Sequence, residues 1–330
     1  RTGNANLQTF DRFDLRAFQR STNKGAPMFT ILSIDGGGIR GLIPARVLER
    51  LERHFPRLTS SFDLLAGTST GALLAAGLAT GMRPRTLRQM YQTFGPQVFA
   101  DSVWDDLRDL GNLIGADYSL QPLQAILEQV LGDVLLGELP RKILIAAFDL
   151  MDERRYPPTW KPKFFHNFPP QQMSRRTDYD ADAQQRLVDV VLRSVAAPIY
   201  FPTFQGYIDG GVVAGNPSMS ALAQALHAGE TEIRLLSLGT GVNPKWLEAE
   251  NADWGVLQWG LNLVDIILDG TGDVADYQCR QVLNEHYFRL QPYLPRRIDL
   301  DDYRATDELL SLADSLNLDA LIEWIETNLV

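Results

Sequence analysis

Residues 62–80 read FDLLAGTSTGALLAAGLAT, and this stretch decides the fold class. Its first part, residues 62–66, is a short apolar run that predicts a buried strand. Residues 67–71 predict a sharp turn because glycine stands at both ends, and residues 72–80 predict a buried helix. A strand followed at once by a helix is the repeating unit of α/β proteins.

The same unit occurs just before this stretch. Residues 29–34 form an apolar run that predicts a strand, and Asp35 with three glycines follows it as a tight turn. Pro44 is placed for the first turn of the next helix. Strands alternating with helices predict a three-layer α/β/α fold with a mainly parallel central sheet. Further strands are predicted at residues 143–148, 204–208 and 233–238, and a helix at residues 184–195.

Length and charge limit the class of protein. The chain has 330 residues and a formal net charge of -10, which disfavours nucleic acid and anionic membrane surfaces as partners. Its single cysteine, Cys279, allows no intrachain disulfide, and no apolar run approaches the eighteen residues of a membrane-spanning helix. We expect an N-terminal arm at residues 1–27, one domain at residues 28–330 and a cytoplasmic location. Because the first residue is Arg1 and not methionine, removal of a targeting segment stays an open alternative.

The turn Gly67-Thr68-Ser69-Thr70-Gly71 has the form G-x-S-x-G. Between a strand and a helix, this pattern presents a serine above the sheet in a strained conformation. The N-terminus of the following helix favours negative charge developing beside that serine. Ser69 is therefore a candidate nucleophile, and a glycine-rich turn without chemistry is the alternative.

The segment Asp35 to Gly41, DGGGIRG, is a candidate oxyanion hole. Gly36, Gly37 and Gly38 lack side chains, so their backbone N–H groups can approach one point closely. Arg40 has three candidate roles: steadying this loop, attracting a phosphate headgroup, or forming a structural salt bridge.

A dinucleotide site is a competing interpretation of the same loop. Gly36, Gly38 and Gly41 also fit G-x-G-x-x-G between a strand and a helix. That motif requires an acidic residue at the end of the next strand, whereas Asp63 falls at its start. The third glycine and the Ser69 turn are also unexplained by a dinucleotide.

A third motif, Asp209-Gly210-Gly211, follows another predicted strand. With the glycine loop and the G-x-S-x-G turn, in that order, it resembles the patatin-like phospholipase family. The stretches SVAAP at 194–198, LSLGTG at 236–241 and HYFRL at 286–290 are similar to that family as well. The resemblance extends from about Met28 to the C-terminus and implies a patatin-like fold.

The resemblance also implies a mechanism. Ser69 would attack an ester carbonyl, and Asp209 would act as its base and later activate water, without a histidine. The N–H groups of Gly37 and Gly38, with Gly36 or Thr70, would bind the oxyanion. Family dyads need no metal or cofactor, so we expect calcium-independent hydrolysis of phospholipids or acylglycerols, with transient contact to a membrane or micelle surface.

Several alternatives remain open at this point. His227 and His286 follow Asp209 in the order that a Ser–acid–His triad requires. A broad-specificity esterase, a nucleotide-activated antiviral effector and a storage or binding protein could share the fold. The acidic run Asp299, Asp301 and Asp302 matches no calcium loop, which favours a solvated turn.

An apolar stretch at residues 254–267 has two interpretations. It contains Trp254, Trp259, Leu263 and Ile266 in a predicted helix. A helix packed in the core is the commoner origin of such a pattern. The alternative is a lipid-contacting surface in which the tryptophans are exposed, because tryptophan favours membrane interfaces.

Overall fold

The computed structural model describes residues 27–99, 116–152, 157–169, 182–244 and 253–330. The predicted N-terminal arm lies almost entirely outside these residues, so the division into arm and domain stays a prediction. The strands are β1 (Phe29–Ile34), β2 (Leu64–Thr68), β3 (Lys142–Asp152), β4 (Thr159–His166), β5 (Tyr207–Asp209), β6 (Ile233–Leu238) and β7 (Tyr287–Leu290).

The helices surround these strands. They are α1 (Leu42–His54), α2 (Leu58–Ser61), α3 (Thr70–Ala79), α4 (Pro84–Phe99), α5 (Gln121–Leu131), α6 (Leu187–Val195), α7 (Gly211–Ala214), α8 (Ser218–His227), α9 (Val256–Leu283), α10 (Thr306–Ser315) and α11 (Asp319–Asn328). Short 3-10 helices occupy Gly38–Gly41, Leu136–Glu138, Asn284–His286 and Tyr303–Ala305. Among the described residues, no helix is both long and apolar enough to cross a bilayer.

The strands form one sheet in the order β4-β3-β2-β1-β6-β7, with β5 paired to β3. The pairs β1–β2, β1–β6, β2–β3 and β6–β7 are parallel, while β4 and β5 run antiparallel to β3. The prediction of a mainly parallel sheet is therefore confirmed. Parallel order brings the carboxyl ends of β1, β2 and β6 to one edge of the sheet, where the candidate loops begin.

The central strand β1 is buried on both faces, as a parallel strand covered by two helical layers should be. Phe29 and Ile31 point into one core, which α8 and α9 cover, and Leu32 and Ile34 point into the other. The second core is the larger and includes side chains from α1, α3 and α6. The predicted three-layer arrangement is confirmed by these two cores.

The long helix α9 corrects one expectation. Ala275 and Cys279 are buried, but Trp259, Leu263 and Ile266 are 43–45% exposed, so the core-helix interpretation is wrong for those three side chains. Trp254 packs edge-on against Trp259, with ring centroids 5.2 Å apart. Helical spacing puts five of the exposed apolar residues described on this helix on one face. We call this face the apolar stripe; it comprises Trp259, Leu263, Ile266, Val274 and Tyr277.

Candidate active site

Ser69 is the only residue between β2 and α3. The turn is thus shorter than predicted, because Gly67 and Thr68 belong to the strand. Ser69 has φ 54° and ψ -122°, a conformation that residues with a side chain rarely adopt. A Cβ atom at Gly71 would overlap the carbonyl oxygen of Ile34 on β1, so the tight approach of α3 to the sheet requires glycine there.

Asp209 stands at the end of β5 and faces Ser69. It is held by pairing with Ala147 on β3, and its side chain is buried, with the residue 3% exposed. Ser69 lines the same cleft as Asp209, and its side chain lowers the pKa of the Asp209 carboxyl as a hydrogen-bonding group. The Gly211 N–H donates a hydrogen bond to Asp209 Oδ1 at 2.7 Å. The structure therefore brings together the two residues that the sequence analysis paired.

Burial raises the pKa of Asp209 to about 6, and the hydrogen bonds from Ser69 and Gly211 oppose that rise. A carboxyl group ordinarily titrates near 4 and is then a weak base. The raised pKa makes the Asp209 carboxylate a better proton acceptor while leaving it mostly ionised at neutral pH.

The glycine loop presents unpaired donors beside Ser69. The N–H groups of Gly37 and Gly38 donate no hydrogen bond to any described residue, and neither does that of Thr70 at the start of α3. Gly36 differs from the prediction, because its N–H donates to the Gly215 carbonyl at 2.9 Å and is not free for an oxyanion. Gly37, Gly38 and Thr70 therefore remain as the candidate oxyanion donors.

Residues distant in sequence hold this loop in place. Asp35 and Arg289 form a buried ion pair with hydrogen bonds of 2.6 and 3.2 Å. The Thr240 hydroxyl donates to the Gly36 carbonyl at 2.6 Å, and the Ile39 N–H donates to the Leu300 carbonyl at 2.8 Å. Strand β7 and the segments after β6 and β7 thus fix the backbone that carries the donors.

Arg40 supports the same loop from within. It is 7% exposed, and its Nε donates to the Gly37 carbonyl at 3.3 Å. This contact fits the first of its predicted roles, steadying the loop. Arg40 also lines the cleft beside Ser69, so contact with a substrate stays a prediction.

Two cavities of different character meet at Ser69. Both are also lined by Ala197, Tyr200 and Leu300. One is apolar and lies between α3, α4 and α5; its lining includes Leu73, Tyr91, Phe94, Phe99, Leu123 and Phe201. The other is polar and opens toward α9; its lining includes Asp35, Arg40, Asp209, Asp273, Arg289 and Gln291.

The histidines considered for a triad lie elsewhere. His227 is on α8, and His286 is in the 3-10 helix before β7, where its Nδ1 lies 3.2 Å from Asn328 Oδ1. Neither is among the described residues that line the two cavities. Ser69 shares the polar cavity with Asp209 instead.

The acidic residues Asp299, Asp301 and Asp302 contact protein groups. Asp299 pairs with Arg297 at 2.7 Å, Asp301 accepts the Tyr118 hydroxyl at 2.7 Å, and Asp302 lies 3.4 Å from Arg296. In the described part of the chain, no three His, Cys, Asp or Glu side chains are grouped to hold a metal ion.

No sequence motif predicts a role for Ser194 or Arg289. Arg289 stands in the apolar run that becomes β7, and a charged residue within a buried strand requires a partner. That signal could have predicted an ion pair, although not its identity. Ser194 gave no such signal, because a buried serine in a helix commonly bonds within its own helix.

The α/β/α architecture with a mainly parallel sheet and a serine on a strand-to-helix turn defines an α/β protein with its site at the carboxyl ends of the strands. The family model described as patatin-like phospholipase matches residues 32–222. The chain belongs to the patatin-like phospholipase family, whose members are lipid hydrolases.

Known proteins resemble the chain over most of its length. It is 29% identical to patatin group M-3 of Solanum tuberosum, covering 91% of this chain and 83% of that protein. It is 28% identical to a cGAMP-activated phospholipase of Pseudomonas aeruginosa, covering 81% and 79%. The crystal structure of VipD from Legionella pneumophila aligns with a TM-score of 0.37 at 13% identity over 88% of this chain and 69% of VipD, too distant to bear on function.

Proposed function

We propose that this protein is a lipid acyl hydrolase that cleaves carboxylic ester bonds of phospholipids or acylglycerols. The observation that carries the proposal is the placement of Ser69 and the buried Asp209 in one cleft, beside the N–H groups of Gly37 and Gly38, which donate to no described residue. A nucleophile, a base and oxyanion donors in one cleft are the parts that acyl transfer requires.

Acylation begins with attack of the Ser69 oxygen on the ester carbonyl carbon. Asp209 accepts the hydroxyl proton as the new C–O bond forms, and the carbonyl electrons move onto its oxygen. The N–H groups of Gly37 and Gly38, with that of Thr70, stabilise this oxyanion. When the tetrahedral intermediate collapses, the alcohol leaves with the proton held by Asp209, and an acyl-serine remains.

Deacylation repeats the chemistry with water. Asp209 takes a proton from the water molecule that attacks the acyl-serine, and the same N–H groups stabilise the second oxyanion. Collapse breaks the bond to Ser69, whose oxygen regains the proton from Asp209. The products are a free fatty acid and the unmodified serine.

The two cavities divide the substrate between them. The apolar cavity suits an acyl chain, since aromatic and aliphatic side chains form its wall. The polar cleft suits the alcohol part of the ester, where Arg40 would meet a phosphate or glycerol oxygen. Helix α9 also supplies Asp273 to the polar cleft, so its apolar stripe lies on an element that borders the site. The apolar stripe would therefore contact the lipid aggregate.

A serine-directed fluorophosphonate tests the nucleophile. We expect the probe to label the wild type and Ser218→Ala, a variant of another buried serine, but not Ser69→Ala. Turnover of a short-chain ester should disappear in Ser69→Ala and in Asp209→Asn while both remain folded by circular dichroism. Substantial activity in Asp209→Asn would overturn the dyad.

The substrate class needs a separate comparison. Wild-type protein is assayed on a medium-chain ester and on phospholipid vesicles, with calcium or with a chelator. We expect phospholipid hydrolysis that is equal in both conditions. A strong preference for the soluble ester would identify a broad esterase. Because a relative is named a cGAMP-activated phospholipase, each assay is repeated with cGAMP.

A further inference from the structure

The side chain of Ser194 contacts the backbone of the strained turn. Ser194 lies near the end of α6 and is fully buried, and its hydroxyl accepts a hydrogen bond from the Ser69 N–H at 2.9 Å. The same hydroxyl donates to the carbonyl of Ala146 on β3 at 2.6 Å. Because it both donates and accepts, the Ser194 hydroxyl is held in one orientation.

The end of α6 also contacts Asp209. The Asp209 N–H donates to the carbonyl of Ala196, two residues after Ser194, at 2.9 Å. Asp209 pairs with Ala147, the neighbour of the residue that accepts the Ser194 hydroxyl. Residues 194–196 therefore bind the backbone of both Ser69 and Asp209 and tie them to one strand.

We propose that Ser194 is a positioning residue that holds the Ser69 backbone so that its hydroxyl points at Asp209. The inference rests on the function proposed above. A serine with positive φ keeps that conformation only where its surroundings enforce it. The hydrogen bond from the Ser69 N–H to Ser194 acts directly on this backbone. Because the hydrogen bond to Ser194 occupies the Ser69 N–H, the oxyanion must be stabilised by other backbone N–H groups.

The test compares two buried serines. Ser194→Ala removes the acceptor for the Ser69 N–H, whereas Ser218→Ala removes a hydroxyl that bonds Ser237 Oγ at 3.0 Å outside the turn. Kinetics are measured on a soluble short-chain ester, and stability by thermal unfolding. We expect kcat of Ser194→Ala to fall about 10²-fold, as for a misplacement of about 1 Å, with KM little changed. Ser218→Ala should keep the wild-type kcat.

The pH profile separates positioning from loss of fold. Since the hydrogen bond from Ser69 lowers the pKa of Asp209, a misdirected Ser69 hydroxyl would let that pKa rise. The acid limb of kcat/KM should then move to higher pH in Ser194→Ala and stay in place in Ser218→Ala. An unmoved acid limb in Ser194→Ala contradicts the inference.

Hydrogen exchange gives a readout that needs no turnover. The Ser69 amide should exchange faster in Ser194→Ala than in wild type or Ser218→Ala, because its acceptor is gone. Unchanged exchange, or a wild-type kcat in Ser194→Ala, overturns the positioning role. A wild-type protein that hydrolyses no ester would refute the proposed function instead, and the exchange comparison would still decide the contact.

Discussion

Ser69 lines the same cleft as Asp209, which is only 3% exposed and whose ionised form is stabilised by hydrogen bonding from Ser69. Burial works against the charge on which that bond depends, and it raises the pKa of Asp209 to about 6. The same burial therefore strengthens the base and narrows the pH range in which it is ionised.

Activity should decline in mildly acidic solution. Below about pH 6 Asp209 becomes protonated and can no longer accept the Ser69 proton, so kcat/KM should fall about tenfold for each lower pH unit. The measurement is the pH dependence of hydrolysis of an uncharged soluble ester. A rate that stays constant down to pH 4.5 would show that Asp209 is not the base.

Asp209→Asn should be inactive and yet more stable than wild type at pH 8. The folded-state pKa of Asp209 is above its unfolded value, so the ionised side chain destabilises the native state at pH 8 by up to about 3 kcal/mol. That penalty shrinks as pH falls through 6 toward 4. Urea unfolding at pH 8 and pH 5 should show the stability difference narrowing; a difference independent of pH would contradict this prediction.

Gly37→Ala should damage catalysis more than stability. A Cβ atom there would overlap the Thr240 hydroxyl, which bonds the Gly36 carbonyl, so the loop must shift and misplace its donors. Loss of one oxyanion donor lowers kcat about 10²–10³-fold. Gly81→Ala is the matched control, because Gly81 also has positive φ but open space around its Cβ position. If kcat fell equally in Gly37→Ala and Gly81→Ala, the assignment of Gly37 as an oxyanion donor would be contradicted.

The apolar stripe should matter for lipid aggregates and not for dissolved esters. Leu263→Ser combined with Ile266→Ser removes two half-exposed apolar side chains, and we expect binding to phosphatidylcholine vesicles to weaken about tenfold. Turnover of a soluble ester should not change. Val282→Ser, 46% exposed on another face of α9, is the control and should bind vesicles normally. Undiminished vesicle binding by the double variant would rule out the stripe as the contact surface.

Local signals in the sequence predicted the centre of the fold. The strands at residues 29–34 and 233–238 have the predicted bounds, because each is a short, mostly apolar run followed by a glycine-containing turn. The edge strand β4 was not predicted. It contains Pro162 and two lysines. Proline and lysine are common in loops, and within a sheet proline occurs mainly on edge strands, so the pattern resembles a loop.

The parts of the site that could not be predicted depend on contacts between distant residues. Asp35 and Arg289 are 254 positions apart, and nothing near either residue identifies the other. Gly36 looked equivalent to Gly37 in the sequence, but the fold brings the Gly215 carbonyl to its N–H. The exposure of one face of α9 could not be predicted either, because an apolar helical pattern does not show whether other elements cover that face.

The ion pair between Asp35 and Arg289 has a consequence for biosynthesis. A ribosome completes the Ser69 turn and Asp209 before it has made Arg289 or Leu300, whose contacts shape the glycine loop. A nascent chain that carries both reactive side chains therefore still lacks the late residues that fix its oxyanion donors. Under the proposed function, the groups that ester hydrolysis requires are all held in place only after synthesis has passed residue 300 and β7 has joined the sheet.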